Sequence, residues 1–96
     1  MSWQPRPEIC EAIRNKNRIQ FIYNEKLRIG EPQCYGINLK GSEAIRVFLI
    51  KGENKPERLF LMENVSSLKV LGQHFYKPGP NYRKDDKDMK VIFCQL

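Results

Sequence analysis

Two stretches of this chain place an arginine two residues before a phenylalanine, Arg46-Val47-Phe48 and Arg58-Leu59-Phe60. In an extended segment the guanidinium and the ring then project from one face, because side chains alternate along a strand. That pairing can do the chemistry of phosphate and base recognition. A planar guanidinium binds phosphate through two hydrogen bonds or stacks on a base, and an aromatic face contributes about 1–3 kcal/mol per stacked base. Arg28 and Tyr35 lie on a neighbouring segment, and together they define a candidate ligand-binding set of Arg28, Tyr35, Arg46, Phe48 and Arg58. Several have structural alternatives. Phe48 and Phe60 are large enough to fill a small β core, and Arg28 can pair with Glu31 or Glu57. Arg46 is the hardest to read as structure, since it interrupts an otherwise apolar strand.

Other chemistry is poorly supplied. Asp85-Asp86-Asp88 is a carboxylate cluster with lysines on both sides, and Ser66 and Ser67 have no histidine partner. No nucleophile–base pair or phosphate-cradling glycine loop stands out, so neither an enzyme nor a cofactor is expected. The three cysteines, Cys10, Cys34 and Cys94, are odd in number and far apart, and His74 is the lone histidine. That pattern argues against a metal site or a disulfide framework and for separate reduced thiols, which fit the cytoplasm. The opening Met1-Ser2-Trp3-Gln4-Pro5 lacks the apolar run of a signal peptide, and no segment approaches the ~20 apolar residues of a membrane span.

Composition sets the frame for these residues. With 96 residues, 41% hydrophobic and 29% charged, the chain has the length and balance of one globular domain. Seventeen basic against eleven acidic side chains give a net charge of +6, which favours partners that carry phosphate.

The elements that must position the candidates follow from patterning. Pro7 and Glu8 read as a helix start, with Ile9, Ala12 and Ile13 forming one apolar stripe before the polar run 14–17. This helix, expected over 5–17, is too short to stand alone in water. Strands follow: Arg18–Tyr23, a turn at Asn24-Glu25-Lys26, then Leu27 to Gly36 with a bend or an edge at Pro32. Ala44–Lys51 is a clear strand, with Ile45, Val47 and Leu49 on one face and Arg46, Phe48 and Ile50 on the other. A polar turn at 52–56 leads to Glu57–Met62, and Val65–Leu71 is a fifth strand. Phe75 to Tyr82 is irregular because of Pro78-Gly79-Pro80. Arg83–Asp88 reads as a solvated loop or a helix start, with Tyr82, Arg83 and Lys84 forming either a basic lip or a solvated tail. The last stretch, 89–96, fits a strand or a helix equally. One helix and about five short strands predict a mainly β protein, a small antiparallel sheet or barrel.

Arg28-Ile29-Gly30-Glu31-Pro32 resembles the Arg-x-x-Glu-Pro element of the WYL-domain family, preceded here by Ala12-Ile13 and Phe21-Ile22-Tyr23. Gly36, Gly41, Ile45-Arg46-Val47-Phe48 and Gly52 are similar to a subgroup in which a Leu-Arg-x-aromatic run replaces Trp-Tyr-Leu. Arg58-Leu59-Phe60, Val65, Leu68, Phe75, Pro78-Gly79, Tyr82, Asp88-Met89 and Ile92 continue the likeness to the chain's end. The resemblance implies an Sm-like, SH3-type antiparallel β-barrel with one N-terminal helix: a single domain over 1–96, with its barrel core at 18–71 and a C-terminal extension at 72–96. It also implies a ligand, single-stranded nucleic acid or a nucleotide-derived molecule, and roles in transcription regulation, DNA-damage responses or defence. Without a helix-turn-helix ahead of it, such a domain is expected to act as a stand-alone sensor or accessory module. A homodimer or a regulatory protein partner is the alternative expectation.

Overall fold

Pro7 occupies the first helical position of α1 (Pro7–Asn15) and holds Arg6 extended (φ −78°, ψ 114°). At the other end Lys16 turns left-handed (φ 55°), and its N–H reaches back to the carbonyls of Ala12 and Ile13. These two stops make α1 shorter than the expected 5–17. Ile9 and Ile13 are fully buried, and burying each contributes about 2 kcal/mol. That burial stabilises a nine-residue helix that would otherwise be marginal.

The computed structural model describes residues 4–51 and 57–96; the turn expected at 52–56 and the opening Met1-Ser2-Trp3 lie outside them. After α1 come β1 (Asn17–Tyr23), β2 (Lys26–Asn38), β3 (Glu43–Lys51), β4 (Glu57–Leu61), a 3-10 turn (Met62–Asn64), β5 (Val65–His74) and β6 (Met89–Gln95). The protein is thus mainly β with one helix, and the ambiguous final stretch is a strand. All the strand pairs are antiparallel. The order is β4-β3-β2-β1-β5, with β6 also on β2. Among the described residues β4 and β5 do not pair with each other, so the sheet stays open and does not close into a barrel.

The architecture turns on β2. Its first half pairs with β1 as far as Ile19↔Gly30, and its second half pairs with β6 from Cys34↔Gln95 onward. Pro32 falls in the interval where this edge changes partner, the place where its missing N–H costs nothing. On the other edge β3 pairs along most of β2, with an irregularity between Pro32 and Cys34 that leaves Gln33 as the extra residue. Asn24 (φ 53°) and Glu25 (φ 63°) form the left-handed turn between β1 and β2.

The core lies between α1 and the sheet. Ile9, Ala12 and Ile13 pack with Ile19, Phe21, Tyr35, Ile45, Val47 and Phe60. The Phe60 ring sits edge-on to Phe21 at 5.0 Å and to Tyr23 at 4.8 Å. On the other face a smaller cluster joins Cys34, Ala44 and Met89. One expectation is overturned here: Cys10 on α1 and Cys94 on β6 are joined by a disulfide, Cα–Cα 5.6 Å, across 84 residues. No local spacing announces such a pair, because the last strand returns under the first helix only in the folded topology. Cys34 is the free, buried thiol.

At Gly36 a Cβ would lie 2.0 Å from the Val91 carbonyl oxygen and 3.0 Å from Ile92 Cα, both backbone of β6. Gly36→Ala should cost about 2–3 kcal/mol in denaturant unfolding, with the loss of amide protection concentrated in β6. Gly41 stands in open space at φ +86°, so Gly41→Ala should cost only about 1 kcal/mol.

Candidate functional site

The five candidate residues do not share one hollow. Register assigns faces: Val47 of β3 is opposite Arg58 and Ile45 opposite Phe60, whereas Arg46 is opposite Leu59 and Phe48 opposite Glu57. Arg58 is therefore on the core side and Arg46 with Phe48 on the outer side. The Arg58 guanidinium lies 5.1 Å from the Phe60 ring centre and 6.0 Å from that of Tyr23, a cation–π cover on the end of the core. Arg28 is buried and donates through Nη2 to the Tyr23 carbonyl at 3.2 Å. The structure thus brings Arg28 and Arg58 together around Tyr23. Glu31, a candidate partner for Arg28, is paired instead with Arg18 at 3.1 Å.

Tyr35 is wholly buried and works as a tie. Its hydroxyl accepts the Arg6 N–H at 2.9 Å and donates to the Glu43 carboxylate, linking the start of α1 to β2 and β3. Burial and the Glu43 hydrogen bond push its pKa up, so the phenol stays protonated.

Arg46 is clamped by the segment expected to be solvated. Its Nε donates to Asp86 Oδ2 at 2.9 Å, and its Nη2 to Asp86 Oδ1 at 3.2 Å and Asp88 Oδ2 at 2.7 Å. Burial works against both charges of the Arg46–Asp86 pair. For Arg46 the hydrogen bonds and charges of the two aspartates outweigh it and raise the pKa. For Asp86 the Arg46 hydrogen bond and the Asp88 N–H outweigh it and hold the carboxyl below its ordinary value. The arginine least comfortable as structure is therefore a structural anchor. Neither aspartate carries a sequence signal, since they lie 40 and 42 residues from Arg46.

What that anchor holds is a strap, residues 75–88, crossing the outer face between β5 and β6. The Phe75 N–H donates to the Lys16 carbonyl, and the Gly79 N–H donates to Gln33 Oε1 at 2.9 Å. Tyr82 donates its hydroxyl to the Leu96 carbonyl, and Asp85 and Gln95 exchange two hydrogen bonds. Gln33 was passed over in the sequence, although a buried amide between Pro32 and Cys34 is the one polar break in that stretch of β2. Burial, followed by the Asp86 charge, pushes the Cys34 thiol up to about 12, so it is unreactive at neutral pH.

Between strap and sheet runs an open groove of about 380 Å³, lined by Arg18, Glu31, Phe48 and strap residues from Phe75 to Pro80. Phe48 is half-buried beneath Gly79, where a Cβ would come within 3.1 Å of its ring. Tyr76 is 92% exposed at the groove. Lys77, Arg83, Lys84 and Lys87 are exposed along the strap. Of the five candidates, the groove takes Phe48 alone. A second hollow of about 310 Å³ lies beside Arg46 and the strap residues 81–88.

Fold and groove together define a small, mainly β scaffold with one helix and a strapped outer face. Comparison with family models, with curated proteins and with solved structures finds no match.

Arg46→Met and Asp86→Asn should each cost about 2 kcal/mol in chemical denaturation, since the first strands the largely buried Asp86 charge and the second leaves Arg46 only the half-exposed Asp88. The double variant should cost little more than either alone, and Lys87→Met should stay within about 0.5 kcal/mol of the parent. Because the Asp86 pKa is lowered by folding, its contribution is fully present above the ordinary value of 3.8 and fades as pH falls through the lowered one. Amide protection of the strap should hold at pH 5 and collapse in stronger acid.

Proposed function

We infer that this protein is a ligand-binding module for single-stranded nucleic acid or a nucleotide-derived molecule, and that the strap groove is its binding surface. The observation that carries this reading is the 92% exposed ring of Tyr76 beside the half-buried ring of Phe48. A tyrosine so exposed adds nothing to the core, yet it stands where a base could stack. Lys77, Arg83, Lys84 and Lys87 supply cations along the same strap. Of the acids near these cations, Asp86 and Asp88 are engaged by Arg46 and Glu31 by Arg18, which leaves Asp85 exposed beside Gln95. A groove of about 380 Å³ is at the small end of ligand sites, suited to a nucleotide or a short length of strand.

In this reading the bent β2 and the helix over the sheet correspond to the Sm-like or SH3-type fold that the WYL resemblance implies. The protein works in the cytoplasm as a sensor or accessory regulator, without catalysis and without a cofactor. Arg28, Tyr35, Arg46 and Arg58 support the scaffold, and the cations that meet phosphate belong to the strap. A second reading, a dimerisation or protein-interaction module, draws on Ile22 and Leu27. They face each other across β1 and β2 and are 36% and 44% exposed. A concentration-dependent dimer in sedimentation, lost in Leu27→Lys, would favour it.

Titration of a short labelled single-stranded oligonucleotide tests the main reading. Engagement of three or four strap cations predicts a slope of log K against log salt of about −2 to −3. Tyr76→Ala should weaken binding by about 1–3 kcal/mol with unfolding unchanged, because the ring is exposed. Absence of binding at low salt, or full affinity in Tyr76→Ala, would remove the groove as the site.

A further inference from the structure

We propose that the Cys10–Cys94 disulfide is a redox latch on the strap, so that its reduction loosens the outer-face groove while leaving the core folded. The bond joins the two elements unequally. On α1, the residues Ile9, Ala12 and Ile13 around Cys10 are buried to within 1%. On β6, every residue from Val91 to Gln95 is only half-buried, and the strand is held on one side by its ladder to β2. Once the covalent link is cut, β6 keeps its ladder to β2 and the edge-on contact of Phe93 with Tyr35. As the less deeply buried of the two elements, it is the one that gives at its end.

The strap depends on that strand. Tyr82 donates to the Leu96 carbonyl, and Asp85 exchanges two hydrogen bonds with the Gln95 side chain. The Leu96 N–H in turn donates to the carbonyl of Gln33, whose side chain holds Gly79. A shift at the end of β6 therefore reaches the strap at Tyr82 and Asp85 directly and at Gly79 through Gln33, whereas Phe75 stays tied to Lys16. Arg46 and its aspartates remain, so the strap slackens without leaving the sheet.

The chemistry is closed by a dithiol reductant. Its thiolate attacks one sulfur of the pair, and the other sulfur leaves as a thiolate and takes a proton. The second thiol of the reductant then resolves the mixed disulfide, so two electrons and two protons pass to Cys10 and Cys94 and the reductant ends as a disulfide. Cys10 and Cys94 are half-buried, so a reductant can approach. Cys34 is buried and sits on the opposite face, in the cluster with Ala44 and Met89, and serves as an unreactive internal control.

The latch itself does not depend on the ligand assignment; only its effect on binding rests on the groove reading. Hydrogen exchange on the full chain, oxidised and then treated with dithiothreitol, is the test. The amides of Gly79, Asp85 and Leu96 should exchange at least about tenfold faster after reduction, while those of Phe21 and Val47 keep their protection. The Cys10→Ser/Cys94→Ser variant should behave as the reduced chain. If that variant fails to fold, reduction of the folded parent still gives the answer. Equal strap protection in both states, or three titratable thiols in the oxidised chain after unfolding, would overturn the latch. Affinity for the oligonucleotide should fall about five- to tenfold on reduction. Strap loosening with affinity unchanged would uphold the latch and count against the groove as the binding surface.

Discussion

The structure depends on one irregularity, the extra residue at Gln33 in the middle of β2. A strand of 13 residues could not serve β1 along one half of an edge and β6 along the other without a local change of direction, and the bulge with Pro32 supplies it. Gln33 then satisfies its own backbone and its neighbours at once. Its Nε2 donates to the Glu31 carbonyl, its Oε1 accepts from Gly79, and its carbonyl accepts from Leu96. A buried amide with all these groups paired stabilises one arrangement of three segments; the same amide left unpaired would be costly. The bend, the docking of β6 and the path of the strap are therefore one constraint expressed in three places.

Charge in this molecule sorts by depth. Arg28, Arg46 and Arg58 are buried or half-buried, and each has a protein partner: the Tyr23 carbonyl, the Asp86 and Asp88 carboxylates, and the Phe60 and Tyr23 rings. A guanidinium taken that far from water needs such partners to remain charged at acceptable cost. The exposed lysines and arginine of the strap have no such requirement, and they contribute the field that a phosphate would meet first. A net charge of +6 is thus divided between cations that hold the fold and cations that face solvent.

Local rules read the fold well and the site poorly, for one physical reason. The stripe Ile9, Ala12, Ile13 and the alternation Ile45, Val47, Leu49 report burial on a single element, and both are core in the structure. The irregularity at Pro78-Gly79-Pro80 is likewise a property of neighbouring residues. By contrast, Arg46 meets Asp86 across 40 residues, and Cys10 meets Cys94 across 84. Nothing within a short window distinguishes a carboxylate that will close a long loop from one that will sit in water. Gln33 lies between these cases. Its polarity within an otherwise buried run was visible, but which groups it would satisfy depended on strands far along the chain.

An open sheet must also guard its edges, and the way this one does so explains where a groove can form. At one end β4 is only five residues long. At the other, β5 pairs with β1 through two register shifts, with Ser67 left-handed at φ 52° and Lys69 exposed. Short length, bulges and lysine are the devices that discourage edge-to-edge pairing. A closed barrel would need none of them, and its outer surface would be a continuous convex wall. Here the inner side of the sheet is filled by α1 and the aromatic cluster, so a hollow of ligand size has to be built on the outer face by chain laid across it. The strap between β5 and β6 provides that second wall, and its proline–glycine–proline run keeps it from pairing as another strand. Held at Lys16, Gln33 and Arg46, it stands off the sheet at Phe48 by the thickness of a glycine.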